Sequence, residues 1–401
     1  MTAGRSYQDS HPWLTFQFSM EFGKQAQLWS LLGEAYSKCR HLTGTPLAPG
    51  VARELAAVYL VKGALASTAI EGNTLSESEA RDIYEGRRQL PPSQHYLQVE
   101  IENVLEALRA LAAKFETGAA PKLDAEWIRE QNHRVLAGLE LDEHVNPGEY
   151  TTTQLVVGNY RGAPPEDVPL LIDKLVGWLD ELTAAGSGES SSLRFFRAFL
   201  AAVLGHLYLA WIHPFGDGNG RTARLLECAI LTRSGLVPWV ATNLLSDHYN
   251  RTRTEYYRRL DAASRNGDVL GFVHYAAEGF VDQLREQIQT VQAQQVRVSW
   301  INYVHEVFAD QPHTEPSRRQ RDLLFALHPE GNPISDLRRL TVELAERYSG
   351  KDGKTVTRDV NKLIDLGLAE KANPQTLRPR MELIEAFIPG ASGTPVADPK
   401  L

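Results

Sequence analysis

Apolar residues recur every three to four positions along most of this chain, the period of amphipathic helices. VARELAAVYLVKGALASTAIEG reads as one helix ended by Gly72, because a left-handed glycine commonly stops a helix. In NTLSESEARDIYEGR, Thr74 to Glu77 has the spacing of a capping box for the next helix. LQVEIENVLEALRALAAKFE and LDAEWIREQNHRVLAG predict a third and a fourth. Then the period changes. GEYTTTQLVVGNYRGAPPEDVP is rich in threonine, valine and tyrosine between glycine and proline, which predicts a short β-hairpin turning near Gly158-Asn159. Helix resumes with VPLLIDKLVGWLDEL. LRFFRAFLAAVLGHLYLAWI is apolar nearly all round, as expected of a helix at the centre of a domain. RTARLLECAILTRSGL is the next helix, and YYRRLDAASRNGDVLGFVHYAAEGFVDQLREQIQTVQAQ predicts a further helical run.

Beyond about residue 300 the character shifts. ISDLRRLTVELAERY and TVTRDVNKLIDLGL predict two helices, and LAEKA with RMELIEAF predicts two paired strands. Helix, helix and a small β-wing suggest a winged helix-turn-helix, followed after Pro389 by a loose tail. The expected fold is therefore mainly α. It comprises an N-terminal helical region (1–115), a helical core with a hairpin (116–290), a linker helix with the winged helix (291–388) and the tail (389–401).

Composition narrows the class. The 401 residues allow two or more domains, and 43% hydrophobic with 23% charged residues is the balance of a soluble protein. A net charge of −8 argues against coating nucleic acid by charge alone, though a local basic face remains open. Cys39 and Cys228 give neither a disulfide framework nor a zinc spacing, which fits a reducing cytosol. The N-terminus lacks the basic start and apolar run of a signal peptide, and FLAAVLGHLYLAWIHPF is short for a span and carries two histidines. A cytoplasmic location without a membrane partner is expected.

The stretch HPFGDGNGRTAR, His213 to Arg224, carries the candidate chemistry. A glycine-rich bend before a helix exposes free backbone N–H groups, and the helix dipole adds positive potential, so the bend favours an anion. Arg221 and Arg224 share a face of the first turn, where cations are disfavoured and a bound polyphosphate would remove the conflict. His213 is of the right type for a general base near neutral pH, and Asp217 is a hard oxygen ligand suited to Mg²⁺. A base, a metal-binding acid and an anion cradle together describe phosphoryl or nucleotidyl transfer.

These residues match, without a substitution, the HPFx(D/E)GNGRxxR signature of Fic-domain protein adenylyltransferases, and the resemblance covers roughly residues 30–290. It implies that His213 deprotonates a Ser, Thr or Tyr hydroxyl of a target protein, or of the chain itself, which attacks the α-phosphate of ATP. Asp217 would hold Mg²⁺, Gly218, Asn219 and Gly220 would cradle phosphate, and Arg221 and Arg224 would bind the outer phosphates. Phe215 would anchor the bend in the core. Kinase-like Doc relatives carry Ala-Asn and a lysine where this chain has Gly218-Asn219 and Gly220, so AMP transfer is favoured over phosphate transfer. Ser67-Thr68-Ala69-Ile70-Glu71-Gly72-Asn73 resembles the family's inhibitory (S/T)xxxE(G/N) motif. Ser67 and Glu71 lie four apart on one helical face, so Ser67 can steady the glutamate. By resemblance Glu71 pairs with Arg224 and takes the place of the γ-phosphate. In some relatives the same glutamate positions water to remove AMP. The hairpin resembles the Fic flap, with Val156 and Val157 placed to clamp a target segment by strand pairing. Tyr256 and Tyr257 match a pair beside the adenine pocket, although Ser264 stands where several relatives have asparagine.

Other readings compete. A DNA-binding regulator would use TVTRDVNKLIDLGL as recognition helix, offering Thr355, Thr357, Arg358, Asn361 and Lys362, but acids interleave there. Winged helices also serve as homodimer or partner surfaces. GKDGKT is no P-loop, because Tyr348 occupies the position of the required first glycine. Transfer of phosphocholine or UMP on the same fold is the remaining alternative.

Overall fold

The computed structural model describes residues 6–19, 22–117, 121–157, 160–184, 186 and 188–384. It divides into two units, Met1–Ile288 and Gln289–Leu401. The first holds helices α1 (Ser6–Ser10), α2 (Ala26–Gly44), α3 (Pro49–Ile70), α4 (Glu77–Tyr84), α5 (His95–Glu116), α6 (Ala125–Leu136), α7 (Val168–Thr183), α8 (Ser191–Ile212), α9 (Asn219–Arg233), α10 (Leu244–Arg251) and α11 (Arg253–Asn266). Helix α12 (Val269–Ala309) runs through the division. Because α8 has no polar face it must be enclosed, and Phe195, Phe199, Leu204, Leu207 and Ile212 are fully buried. Helices α7 and α9 pack along it, and α3, α5 and α6 pack on α9. One apolar core runs from Tyr7 to Leu284, so helices on both sides of residue 115 share it.

Between α6 and α7, strands β1 (Val156–Val157) and β2 (Tyr160–Arg161) pair antiparallel, with Val156 opposite Arg161. The expected turn at Gly158-Asn159 lies outside the described residues.

Local chemistry moves three boundaries in this unit. The capping box is Ser76 with Glu79, not Thr74 with Glu77: the Ser76 hydroxyl accepts from Glu79 N and the Glu79 carboxylate accepts from Ser76 N. Asn73 Oδ1 accepts from Leu75 N at 3.1 Å, which shapes the chain as a turn where the earlier helix would begin. The run from Tyr256 breaks at Gly267, left-handed at φ 69°, and Asp268 then accepts from Gly271 N (3.0 Å) to start α12. Helices α2 and α10 were not singled out by periodicity; neither has a side-chain cap at its N-terminus.

In the second unit the order is α13 (Glu315–Ala326), β3 (Asn332–Pro333), α14 (Val342–Arg347), α15 (Gly353–Asp365), β4 (Ala369–Asn373) and β5 (Thr376–Pro379). The sheet is antiparallel in the order β3-β5-β4, over a core that includes Trp300, Leu323, Leu337, Leu363 and Leu377. Ile334–Tyr348 is not one helix. A 3-10 turn at Leu337–Arg339 precedes α14, which starts where the Thr341 hydroxyl accepts from Leu344 N (3.2 Å). The second of the expected strands is Thr376–Pro379 rather than RMELIEAF. Asn373 Oδ1 accepts from Gln375 N (2.9 Å) and turns the chain at once, and Met381–Ile384 is a 3-10 turn. Residues 385–387 of that expected strand, and the tail after Pro389, lie outside the described residues. Of the two acids in α15, Asp359 is buried against Arg319, while Asp365 is exposed on the same side as Thr357, Arg358 and Asn361.

Candidate active site

Helix α8 ends on His213, whose backbone is left-handed (φ 53°, ψ 58°) while its N–H still donates to Leu209 O at 3.0 Å. That conformation costs a non-glycine residue about 1 kcal/mol. Nδ1 donates to the Ala210 carbonyl at 3.3 Å, so in the neutral ring the lone pair sits on Nε2. Burial holds the His213 pKa below its ordinary value against the opposing pull of the Ala210 carbonyl, Glu71 and Asp217. The depressed pKa favours the neutral imidazole, the form that a general base requires.

The bend that follows is held by its own side chains. Phe215 is buried and bridges to Tyr150, their rings 5.6 Å apart. Asn219 accepts from Phe215 N (2.9 Å) through Oδ1 and donates to Phe215 O (2.6 Å) through Nδ2, so its amide braces the bend. Gly218 caps α9 at φ +76°, and a Cβ there would lie 2.9 Å from Asn132 Nδ2. The first bond of α9 runs from Thr222 N to Gly218 O (2.9 Å), so the N–H groups of Asn219, Gly220 and Arg221 have no acceptor within the helix.

Protein carboxylates answer the charge conflict that the two arginines pose. Arg221 donates to Glu100 (3.0 Å) and Asp217 (3.1 Å). Arg224 donates through Nη2 to Glu71 Oε1 (2.6 Å) and the Ser67 carbonyl (2.7 Å), and through Nε to Ser67 Oγ (3.0 Å). Ser67 thus holds the arginine, not the glutamate that the four-residue spacing suggested. Two guanidinium nitrogens, Arg221 Nε and Arg224 Nη1, are buried without a hydrogen-bond partner among the described residues.

Glu71 reaches this place because α3 stops beside it: Gly72 turns at φ 110°, and the N–H groups of Glu71 and Asn73 both donate to Thr68 O. Its approach needs Gly220, where a Cβ would lie 2.3 Å from Glu71 Oε1. Burial opposes ionisation of Glu71, but the Arg224 charge and hydrogen bond, helped by Arg221 and His213, hold its pKa below the usual carboxylate value.

A cavity of about 450 Å³ joins these groups, with His213, Glu71, Gly220, Tyr160, Tyr257 and Ser264 in its wall. Arg221 and Arg224 are buried and do not line it, whereas Glu71 does. Tyr256 also borders the cavity but is buried, its hydroxyl 2.8 Å from His206 Nε2. Tyr257 is exposed and donates to Ile70 O at 3.3 Å, beside Glu71. Ser264 Oγ donates to Asp261 O (3.0 Å) within its own helix. The hairpin is tied to both sides of His213: Ala163 N donates to Ile212 O (3.1 Å), Thr151 N to Pro214 O (2.8 Å) and the Tyr160 hydroxyl to Trp211 O (2.6 Å). Val156 is 64% exposed. The Val157 side chain lies outside what is described.

Residues 122–231 match the Fic/DOC family. The matched segment takes in the hairpin, His213 and both arginines of the bend. The chain is 34% identical over 213 residues to protein adenylyltransferase fic-1 of Caenorhabditis briggsae, covering 53% of this chain and 38% of that protein. It is 31% identical over 214 residues to protein adenylyltransferase Fic of Nematostella vectensis, covering 53% of this chain and 44% of that one. The chain thus spans about two fifths of the length of these curated relatives. Among solved structures, Fic-1 (residues 134–508) from Caenorhabditis elegans is similar at 27% identity with a TM-score of 0.52, covering 67% of this chain and 74% of that one. A Fic family protein from Desulfovibrio desulfuricans shares the fold, with a TM-score of 0.54 and 20% identity over 90% of this chain and 97% of that one.

Two residues that position the Fic bend were not visible in its motif. Asn132, on α6, donates to Asp217 O (2.9 Å) and accepts from Gly148 N (3.0 Å), tying the bend to the segment before the hairpin. Glu100, on α5, is the second carboxylate of the arginine cluster. Both lie in helices whose periodicity shows only which face is apolar. Asp217 is the carboxylate at the bend itself; its Oδ1 accepts from Gly218 N and Arg221, and its side chain is half exposed. No group of three His, Cys, Asp or Glu stands together for a metal among the described residues. A single exposed carboxylate suits a Mg²⁺ that keeps several waters and arrives with phosphate oxygens.

Proposed function

We propose that this chain transfers AMP from ATP to a Ser, Thr or Tyr hydroxyl of a target protein, or of itself, and that Glu71 restrains it. The observation that carries this reading is the shared cavity: a neutral His213 and the Gly220 end of the anion cradle open into it, and Glu71 stands in its wall, bound to Arg224. His213 Nε2 takes the proton of the incoming hydroxyl, the oxygen attacks the α-phosphorus, and the bond to pyrophosphate breaks. The N–H groups of Asn219, Gly220 and Arg221 and the cations of Arg221 and Arg224 meet the phosphates. Asp217 would hold Mg²⁺, which supplies neutralising charge on the phosphate oxygens. Tyr257 and Ser264 stand at the nucleoside end, and Val156 on the hairpin offers an exposed apolar contact to a target segment.

The experiment compares wild type, Glu71→Gly and Glu71→Gly/His213→Ala with Mg²⁺ and ATP labelled at the α- or γ-phosphate. Label from the α-position alone, strongest in Glu71→Gly and about 10²–10⁴-fold weaker in the double variant, is expected. Label from the γ-position makes the chain a kinase, and failure of Glu71→Gly to bind ATP removes the nucleotide reading.

For residues 289–384 a second reading is favoured by one observation. With Asp359 turned inward, the outer side of α15 presents Thr357, Arg358 and Asn361, and its exposed acids, Asp352 and Asp365, stand at the two ends. We read this unit as a winged helix that contacts nucleic acid through that face. Duplex binding that weakens steeply with salt, and weakens again in Arg358→Ala, supports it. Binding that ignores both salt and Arg358 leaves a protein partner.

A further inference from the structure

Both terminal nitrogens of Arg221 already have carboxylates, and the two differ in kind. Arg221 retains 4% of its side-chain exposure, Glu100 16% and Asp217 49%. Glu100 is thus the partner withdrawn from water, and Asp217 the one that faces it. A guanidinium in the first turn of α9 opposes the helix dipole, and once stripped of water it needs a carboxylate that is also withdrawn. Glu71 does not serve, because it is engaged with Arg224.

Glu100 is itself fixed from behind. Asn73 Nδ2 donates to Glu100 Oε2 (3.0 Å) and to the Leu97 carbonyl (2.9 Å), while Asn73 N donates to Thr68 O (3.1 Å) in the turn that closes α3. One carboxylate oxygen therefore faces Asn73 and the other faces Arg221. Unlike Glu71, Glu100 has no place in the cavity wall.

We propose that Glu100, held by Asn73, is the positioning residue that keeps Arg221 in the anion cradle and, through Arg221, steadies Asp217. The inference rests on the reading of the bend as a nucleotide cradle. It gives the two glutamates opposite roles: Glu71 blocks the cradle, and Glu100 holds it in shape. Removing Glu71 opens the site, and removing Glu100 loosens it.

The test uses the full chain carrying Glu71→Gly, alone and with Glu100→Ala or Glu100→Gln. The Glu100→Ala change is expected to raise KM for ATP about tenfold, the scale of one lost charged hydrogen bond, with a smaller change in kcat. Glu100→Gln keeps an oxygen toward Arg221 without the charge and should fall between. NMR of ¹⁵N-labelled arginine, with the Arg221 signal assigned by its loss in Arg221→Lys, reads the guanidinium directly. It should be rotationally restrained in Glu71→Gly, freed in Glu100→Ala and intermediate in Glu100→Gln. An unchanged KM and a still-restrained Arg221 in folded Glu100→Gln would overturn the proposal. Equal losses in the two Glu100 variants, with KM unmoved, would also overturn it, by making Glu100 a fold residue only. If Glu71→Gly binds no ATP, the nucleotide reading falls, and the arginine signal decides the role of Glu100 by itself.

Discussion

In the C-terminal unit, Arg319 meets Asp359 through two hydrogen bonds, at 2.7 and 3.1 Å, and Gln320 (2.9 Å) and the Tyr348 hydroxyl (3.0 Å) donate to the same carboxylate. In the N-terminal unit, Arg224 meets Glu71 through one bond at 2.6 Å. The Asp359 side chain is 2% exposed and enclosed by donors, whereas Glu71 is 32% exposed and borders a cavity. An enclosed pair leaves no room for another anion and can only hold the fold. A pair open on one side can surrender its arginine to a competing anion. The chemistry of the bond is the same in both, and what surrounds the carboxylate decides whether the pair is a fastening or a plug.

The largest effect should come from the enclosed pair. Asp359→Ala strands a buried guanidinium and should cost about 3–5 kcal/mol in the unfolding of the C-terminal unit, read by calorimetry of the full chain. Glu71→Ala should cost about 1 kcal/mol, because Arg224 keeps both acceptors of Ser67 and Glu71 is partly solvated. Equal losses would break the comparison.

The pH profile sharpens it next. A depressed His213 pKa means that the free base persists to lower pH. AMP transfer by Glu71→Gly should therefore be flat near neutrality and fall about tenfold per unit only below an inflection under ~6.5. The Glu71 pKa is also depressed. Its pairing is then complete above the ordinary carboxylate value of about 4.3 and is lost as pH falls through its own lower value. Hence the ratio of Glu71→Gly to wild-type transfer should stay constant from pH 8 to 5. A ratio that collapses near pH 6 would show that the plug titrates with another group.

A smaller effect tests which partner Ser67 holds. Ser67→Ala should remove about 1–2 kcal/mol of grip on Arg224, lowering transfer several-fold in the Glu71→Gly background without activating the otherwise intact chain. Activation by Ser67→Ala in labelled-ATP assays would mean that the hydroxyl steadies the glutamate after all.

Contacts between side chains far apart in the sequence mark where legibility ends. HPFGDGNGRTAR could be read because base, bend and arginines are contiguous, whereas Glu71 stood out only through the likeness of Ser67–Asn73 to the Fic inhibitory motif. The partner of Ser67 could not be read: helical spacing shows that two side chains share a face, not which of them a third helix approaches. Asn132 and Glu100 escaped for the same reason, since each acts on the bend across more than eighty residues of chain. Arg221 and Arg224 in one turn pointed to a missing anion, but three carboxylates from the protein itself supply the counter-charge. In the C-terminal unit the choice between adjacent signals decided the outcome. Asn373 closed its turn early, so the strand began four residues before the apolar alternation of RMELIEAF.

His213 carries one further consequence. The position at the end of α8 is built for glycine, and the chain keeps an imidazole there at the expense of its own cohesion. Replacing His213 with glycine should therefore raise the melting temperature by roughly 2–4 °C while abolishing transfer. The variant without the imidazole would then be the sturdier protein, and a screen for thermal resilience alone would select against the side chain proposed as the base.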